Sequence, residues 1–226
     1  MGNRPHDPMS VAFTVKDMRK TIDFYTKTLG FELETAWPDE KNPMWANLML
    51  GKQSVMIGPA MSPDDVTQMC GGNDSARGKF HRTLAEEAQK SRFGAGVCVY
   101  VEVPDIDKFH ADVTKRGHKT DQTPENQFYG IRDFPVRDPD GYCLMFYTAI
   151  KMEACQSCAM PLKDAKPGEM FCQYCTDPKG QLKPFETVLE GTTTGYFMAM
   201  QKMPRDAAEK AAREHLKKQP AWAGKV

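Results

Sequence analysis

"VAFTVKDMRKTIDFYTKTLGFELETA", residues 11–36, and "VCVYVEVPDIDKFHADVTKRGHKTDQT", residues 97–123, are two copies of one pattern. Each opens on a short alternating strand that closes at a valine, Val15 or Val103, with an aspartate two residues on, Asp17 or Asp105. An amphipathic helix follows. Its apolar stripe is Met18, Ile22, Phe24, Tyr25 and Leu29 in the first copy and Ile106, Phe109 and Val113 in the second. Gly30 and Gly117 then offer left-handed C-caps, and a second strand is expected after each. The copies lie about 88 residues apart, too far for a solenoid and suited to a duplicated supersecondary unit.

Outward from this pair, each copy adds two more strands. In the first they are "WANLMLG" and "QSVMIGPA", meeting near Gly51; in the second, "GIRDFPVRD" and "YCLMFYTA", joined by the turn Asp138-Pro139-Asp140-Gly141. The unit is therefore β-α-β-β-β, twice, at about 9–58 and 95–150. Residues 59–94 read as an insertion that begins as a polar loop and becomes a helix around His81–Ser91, covering one edge of the first sheet.

The 226 residues carry 30 basic and 30 acidic side chains, so bulk electrostatic binding to nucleic acid or an anionic membrane is not expected. No apolar run approaches the roughly 18 residues of a membrane span. The start "MGNRPHDPMS" lacks a signal-peptide core, and a myristoylation reading of Met1-Gly2 wants Ser or Thr where His6 stands. The expectation is a cytoplasmic protein.

Seven cysteines, an odd number, do not suggest a disulfide framework. Cys70, Cys98 and Cys143 are scattered and read as small apolar packing residues. The other four form Cys155-x2-Cys158 and Cys172-x2-Cys175, with 13 residues between the pairs. Each knuckle turns two thiolates to one point, and two knuckles complete a tetrahedron around Zn²⁺. With all four positions filled by sulfur, the expected zinc is structural, supplying folding free energy to a segment too small for its own core. The competing reading is a pair of redox dithiols. Beyond Gly191, "PRDAAEKAAREHLKKQP" reads as helix. Residues 151–226 hold 12 basic against 9 acidic side chains, which is no nucleic-acid stripe.

The duplicated units, with "V-x-D…FY…LGF" in copy one and "DPDG" in copy two, resemble the vicinal oxygen chelate superfamily of glyoxalase I, extradiol dioxygenases and bleomycin-resistance proteins. The resemblance covers residues 9–150. It implies an α+β fold: two curved mixed sheets, each cupping a cavity, with helices outside. Enzymatic members hold one divalent metal with His or Glu in the first and last strand of each unit. Aligned to those motifs, the positions here are Ser10, Met56, Cys98 and Met145. Hard divalent ions want charged oxygens or imidazole, so this set disfavours a catalytic metal. His81, His110, His118 and His215 read as surface or helix residues.

Relatives without the ligands include proteins that sequester an aromatic or glycopeptide antibiotic. The resemblance thus favours a small-molecule-binding protein over an enzyme. Its ligand face would be Cys98, Tyr100, Glu102, Met145 and Tyr147 in copy two and Ser10, Met56 and Trp45 in copy one, with Arg132 as a positive anchor. Glu102 is also a candidate base for a lyase or isomerase, or simply a partner of Arg132. The aromatic residues could instead fill a collapsed core. "CQSCAMPL" and "FCQYC", with a helical tail ending near Trp222, resemble a bacterial zinc-ribbon domain over 151–226, with Ala159 where Gly is common. That domain is read as a clip on the first domain or a partner, or as a protein-interaction module. Superfamily relatives commonly dimerise, so a homodimer is expected.

Overall fold

The computed structural model describes residues 10–225; the Met1-Gly2 start and His6 lie outside them. The chain divides into two compact units, Met1–Pro124 with Phe134–Tyr147, and Glu125–Asp133 with Thr148–Val226.

In the first copy, β1 (Val11–Val15) leads into α1 (Met18–Asp23), followed by β2 (Glu32–Trp37), β3 (Trp45–Leu50) and β4 (Gln53–Pro59). The strands form one sheet in the order β1-β4-β3-β2. β1 and β4 are parallel, and the other pairs antiparallel. Asp17 caps α1 by accepting from Lys20 N. The helix continues as a π-helical turn, Phe24–Leu29, and stops at Gly30. Here the two copies differ by one residue, since Asp17 to Gly30 is one longer than Asp105 to Gly117. A π turn absorbs one inserted residue while keeping the apolar stripe on the sheet. Gly30 sits at φ 81°, and an added Cβ would lie 2.7 Å from the Arg116 guanidinium. That guanidinium donates to Thr28 O across the two copies, at 3.1 Å.

The second copy runs β5 (Cys98–Glu102), α4 (Ile106–Lys115), β6 (Glu125–Asn126), β7 (Ile131–Arg137) and β8 (Cys143–Ala149), in the sheet order β5-β8-β7-β6. The strand expected after Gly117 shrinks to two residues, Glu125–Asn126. Residues 118–124, HKTDQTP, are polar, do not alternate, and end in a proline that cannot donate to a ladder. The insertion also departs from expectation. It holds two helices, α2 (Pro63–Met69) and α3 (Ala76–Lys90), capped by Ser62 and Ser75. These Ser caps were legible as start signals beneath the polar composition.

The core gathers Val15, Tyr25, Leu29, Leu48, Ile57, Phe134, Leu144 and Phe146 between the sheets and their helices. Phe24 packs against its edge. The Asp-Pro-Asp-Gly turn is the hub between the copies. Asp138 Oδ1 accepts from the backbone N–H of Asp140, Gly141 and Tyr142, each at 2.9 Å. Its Oδ2 accepts from the Tyr25 hydroxyl at 3.3 Å. Asp140 accepts from Lys16 N and the Thr21 hydroxyl. Tyr142 stacks on Phe13, centroids 4.1 Å apart, and donates to Thr14 O.

The second unit is built on two short bridges, Ala154–Pro161 and Thr176–Leu182, then α5 (Phe185–Thr192), a π turn (Thr193–Met198) and α6 (Arg205–Lys217). Pro184 and Pro204 precede the two helices as N-caps.

Candidate ligand face and candidate metal centre

Strand alternation divides each sheet into a helix-covered face and an open one. On the parallel pair β5–β8 the register is Cys98–Cys143, Tyr100–Met145 and Glu102–Tyr147. These six side chains share the open face, while Val101, Leu144 and Phe146 are buried on the other. Tyr100 is 52% exposed, so it does not fill a collapsed core. Its ring lies edge-on to Tyr147, centroids 6.1 Å apart. Burial, then the Glu102 charge, raises the Tyr147 hydroxyl above its ordinary range, so it stays a hydrogen-bond donor at neutral pH. Glu102 is tied down by its backbone: Gln53 Nε2 donates to Glu102 O at 2.7 Å, and Glu102 N donates to Gln53 Oε1 at 3.1 Å.

The first sheet repeats the arrangement. β1–β4 pairs Ala12 with Met56, as β5–β8 pairs Tyr100 with Met145. Ser10 precedes β1 and is exposed. Trp45 pairs with Trp37 at the far end of the sheet. Sequence reasoning missed Asn47, the cross-strand partner of Met56. Its Nδ2 donates to Glu34 Oε2 at 2.7 Å, while its Oδ1 is buried with no partner within the protein. The signal was present as a lone polar residue between buried Ala46 and Leu48. Arg132 donates to Asn126 Oδ1, its partner across β6–β7, at 3.1 Å.

Two hollows adjoin these strands. A groove of about 590 Å³ runs along Leu50, Gln53, Glu102, Pro104, Lys108 and Phe109. It reaches Glu102 but not Tyr100, Met145 or Tyr147, so the candidate ligand surface is the open face itself. A smaller hollow of about 160 Å³ lies between Thr14 and α3, with His81 and Leu84 in its wall. His110 bonds Thr120 at 2.9 Å, and His118 stands edge-on to Phe24, so both hold local structure.

In the second unit, Cys155, Cys158, Cys172 and Cys175 bring their Sγ atoms within 4.8 Å of one another, with Cys158 and Cys172 at 3.7 Å. A zinc ion with Zn–S bonds of about 2.3 Å needs sulfurs about 3.8 Å apart, so the quartet fits a tetrahedral zinc. Hydrogen bonds from Cys158 and Cys175, with Cys172 N donating at 3.3 Å, hold the Cys155 thiol far below the usual thiol range. The bond to Cys155 pushes Cys158 well up, and pushes Cys175 up to about 12. Ala159, just after the first knuckle, has φ 60°, the left-handed region in which glycine is at ease.

The tail helix closes over this cluster. Cys155, Cys172 and Cys175 pack with Val188, Leu189, Ala212, Leu216 and Trp222. Trp222 Nε1 donates to Ser157 O at 3.1 Å, and a His215 ring nitrogen lies 2.9 Å from Cys158 O. His215 is a helix residue of α6, half-buried where its ring meets the first knuckle. Sequence distance hid it, because 57 residues separate the pair.

Among the described residues no helix is long and apolar enough to cross a membrane. No curated protein matches the chain. Among solved structures, TioX from Micromonospora sp. ML1 is 23% identical, covering 65% of this chain and 99% of its own, with a TM-score of 0.45. A glyoxalase/bleomycin resistance protein/dioxygenase from Nocardioides is 18% identical over 74% of this chain and 91% of its own, TM-score 0.45. A member of the same superfamily from Sphaerobacter thermophilus DSM 20745 is 22% identical over 62% and 94%, TM-score 0.41. Residues 154–223 match the family described as "Putative zinc ribbon domain". Residues 9–146, more than half the chain, match the other family model, and the chain belongs to the glyoxalase/bleomycin resistance protein/dioxygenase superfamily.

Proposed function

We propose that the open face of the βαβββ domain binds a small aromatic or amphipathic molecule without a divalent metal, and that the ribbon's zinc is structural. What supports the reading is the residue set that alignment to the superfamily's motifs assigns to its ligand positions. Ser10, Met56, Cys98 and Met145 supply soft sulfur and a hydroxyl where a hard ion needs carboxylate or imidazole. The open faces of the two sheets offer aromatic area, Tyr100 and Tyr147 on one and Trp45 on the other, with few polar groups, which suits an apolar ligand held by a few anchors. Glu102 is the candidate polar anchor.

The test is a thermal-shift screen of aromatic antibiotics and metabolites on the zinc-loaded protein. A stabilising compound whose effect is lost in Tyr100→Ala and Tyr147→Ala supports the reading. A second equivalent of metal, lost in Cys98→Ser or Glu102→Gln, sinks it. A metal-free lyase or isomerase is the second reading, favoured by Glu102 facing Tyr147 across the β5–β8 register, a candidate base near a donor whose pKa its charge raises. Turnover of a bound compound that stops in Glu102→Gln would establish it. Absence of any ligand would turn attention to the ribbon as a protein contact. A homodimer, part of the same proposal, is measured by light scattering.

A further inference from the structure

We propose that Cys98 and Cys143 form a redox-active dithiol on the open face, taking small disulfides such as oxidised glutathione as co-reactant. The proposal does not depend on the ligand reading. The two residues are direct partners in the parallel register of β5 and β8. Side chains of such partners leave the sheet on the same side, and neighbouring strands lie about 4.8 Å apart. That separation falls within the range of about 4.4–6.8 Å between Cα atoms that a disulfide spans. The Cys98 thiol already points at the Cys143 sulfur, with 3.6 Å between them. Closing to a bond of about 2.05 Å brings the sulfurs about 1.5 Å nearer each other. Cys98 is exposed and Cys143 half-buried, so neither sulfur is locked in a core. This revises the reading of both as apolar packing residues. It also sets the pair apart from the four-cysteine cluster in the second unit, whose sulfurs are arranged to share one metal.

Exposure assigns the order of events. The Cys98 thiol loses its proton and its sulfur attacks one sulfur of glutathione disulfide. A mixed disulfide forms on Cys98, and the first glutathione leaves as thiolate and is protonated. The Cys143 thiol then loses its proton and attacks the Cys98 sulfur, which expels the second glutathione thiolate. Two protein thiols are oxidised to one disulfide, and one small disulfide is reduced to two thiols. The product cross-links β5 to β8 and removes two thiols from beside Tyr100 and Met145.

The experiment treats the zinc-loaded full chain with excess oxidised glutathione and follows intact mass, with peptide mapping. The wild-type chain is expected to lose the mass of two hydrogens, with Cys98 and Cys143 recovered in one linked peptide. Cys143→Ser is expected instead to retain one glutathione on Cys98. Cys98→Ser is expected to lose the internal bond and most of the reactivity. Unchanged far-UV circular dichroism and zinc content show that both serine variants fold. A wild-type chain that does not react, one that keeps glutathione on Cys98, or a bond mapped to Cys70 or the four-cysteine cluster would each overturn the proposal.

Discussion

In the βαβββ unit the residues shut away from water are Val15, Leu29, Leu48, Ile57, Phe134, Leu144 and Phe146, a two-layer core of aliphatic and aromatic side chains. In the C-terminal unit the corresponding list begins with Cys155, Cys172 and Cys175 and joins them to Val188, Leu189, Ala212, Leu216, Ala221 and Trp222. Each fully buried Leu, Ile or Phe contributes about 1.5–3 kcal/mol by leaving water. The first unit can sum many such contributions. The second places thiols at the centre of its core, and without a metal those thiols repel as they ionise. The four close sulfurs and the zinc-ribbon family suggest zinc, which would add metal–sulfur bonds in the second region to the apolar area that both regions bury.

Removing the metal should separate the two regions most sharply. Structural zinc supplies about 10–16 kcal/mol in small ribbons. A strong chelator, or Cys172→Ser, is expected to abolish protection of residues 151–226 in hydrogen exchange and leave β1, β4, β5 and β8 protected. Equal loss in both regions would remove the distinction.

Trp222→Ala comes next. Trp222 packs edge-on to Phe185, and its indole N–H donates to Ser157. The truncation should cost about 3–5 kcal/mol. It should raise the rate at which a chelator strips zinc while leaving the first unit's unfolding midpoint in place. If zinc release is unchanged, the tail is not part of the ribbon's core.

Within the first unit the sharpest polar test is Asp138. Asp138→Ala strands the Asp140 and Tyr142 N–H groups and the Tyr25 hydroxyl, while Gly141 N–H keeps its bond to Asp138 O, and should cost about 2–3 kcal/mol. Asp138→Asn keeps an oxygen for the three N–H groups and should cost less. Burial pushes the Asp138 carboxyl above its ordinary 3.8, only partly opposed by those backbone bonds. The folded state thus binds this proton more tightly than the unfolded state does. Wild-type stability relative to Asp138→Asn should therefore rise as pH falls through the folded pKa toward 3.8, and stay level above that window. Denaturant unfolding of both proteins across mildly acidic pH checks the sign.

The repeat, the β-α-β-β-β order and the cysteine quartet were legible because each rests on local spacing: the 2.0 and 3.6 periods, a capping Asp, a terminal Gly, and Cys-x2-Cys. What escaped was non-local or masked by polar composition. Nothing in "MSPDDVTQMC" shows an apolar stripe, so α2 read as loop although Ser62 and Pro63 start it. The embrace of the ribbon by His215 and Trp222 needs partners 57 and 65 residues away. The closeness of Cys98 to Cys143 follows only once the register of β5 on β8 is known. The π turn was readable in principle, as the one-residue difference between the two Asp-to-Gly intervals.

The smallest expected effect has the opposite sign from the others. Ala159 holds φ 60° directly after the first knuckle, where its N–H donates to Cys155 O at 2.8 Å. An L-residue with a Cβ pays about 1–2 kcal/mol in this region. Glycine avoids that cost but adds freedom to the unfolded chain, worth about 0.4–1 kcal/mol the other way. Ala159→Gly should therefore stabilise the ribbon by about 0.5–1 kcal/mol. The gain should appear as tighter zinc retention against a competing chelator and leave the unfolding midpoint of the first unit unmoved. A loss of zinc affinity would mean that the left-handed turn is set by the metal rather than by the chain. The ribbon would then depend on zinc even for its local backbone, a sharper contrast with the first unit than its core alone implies.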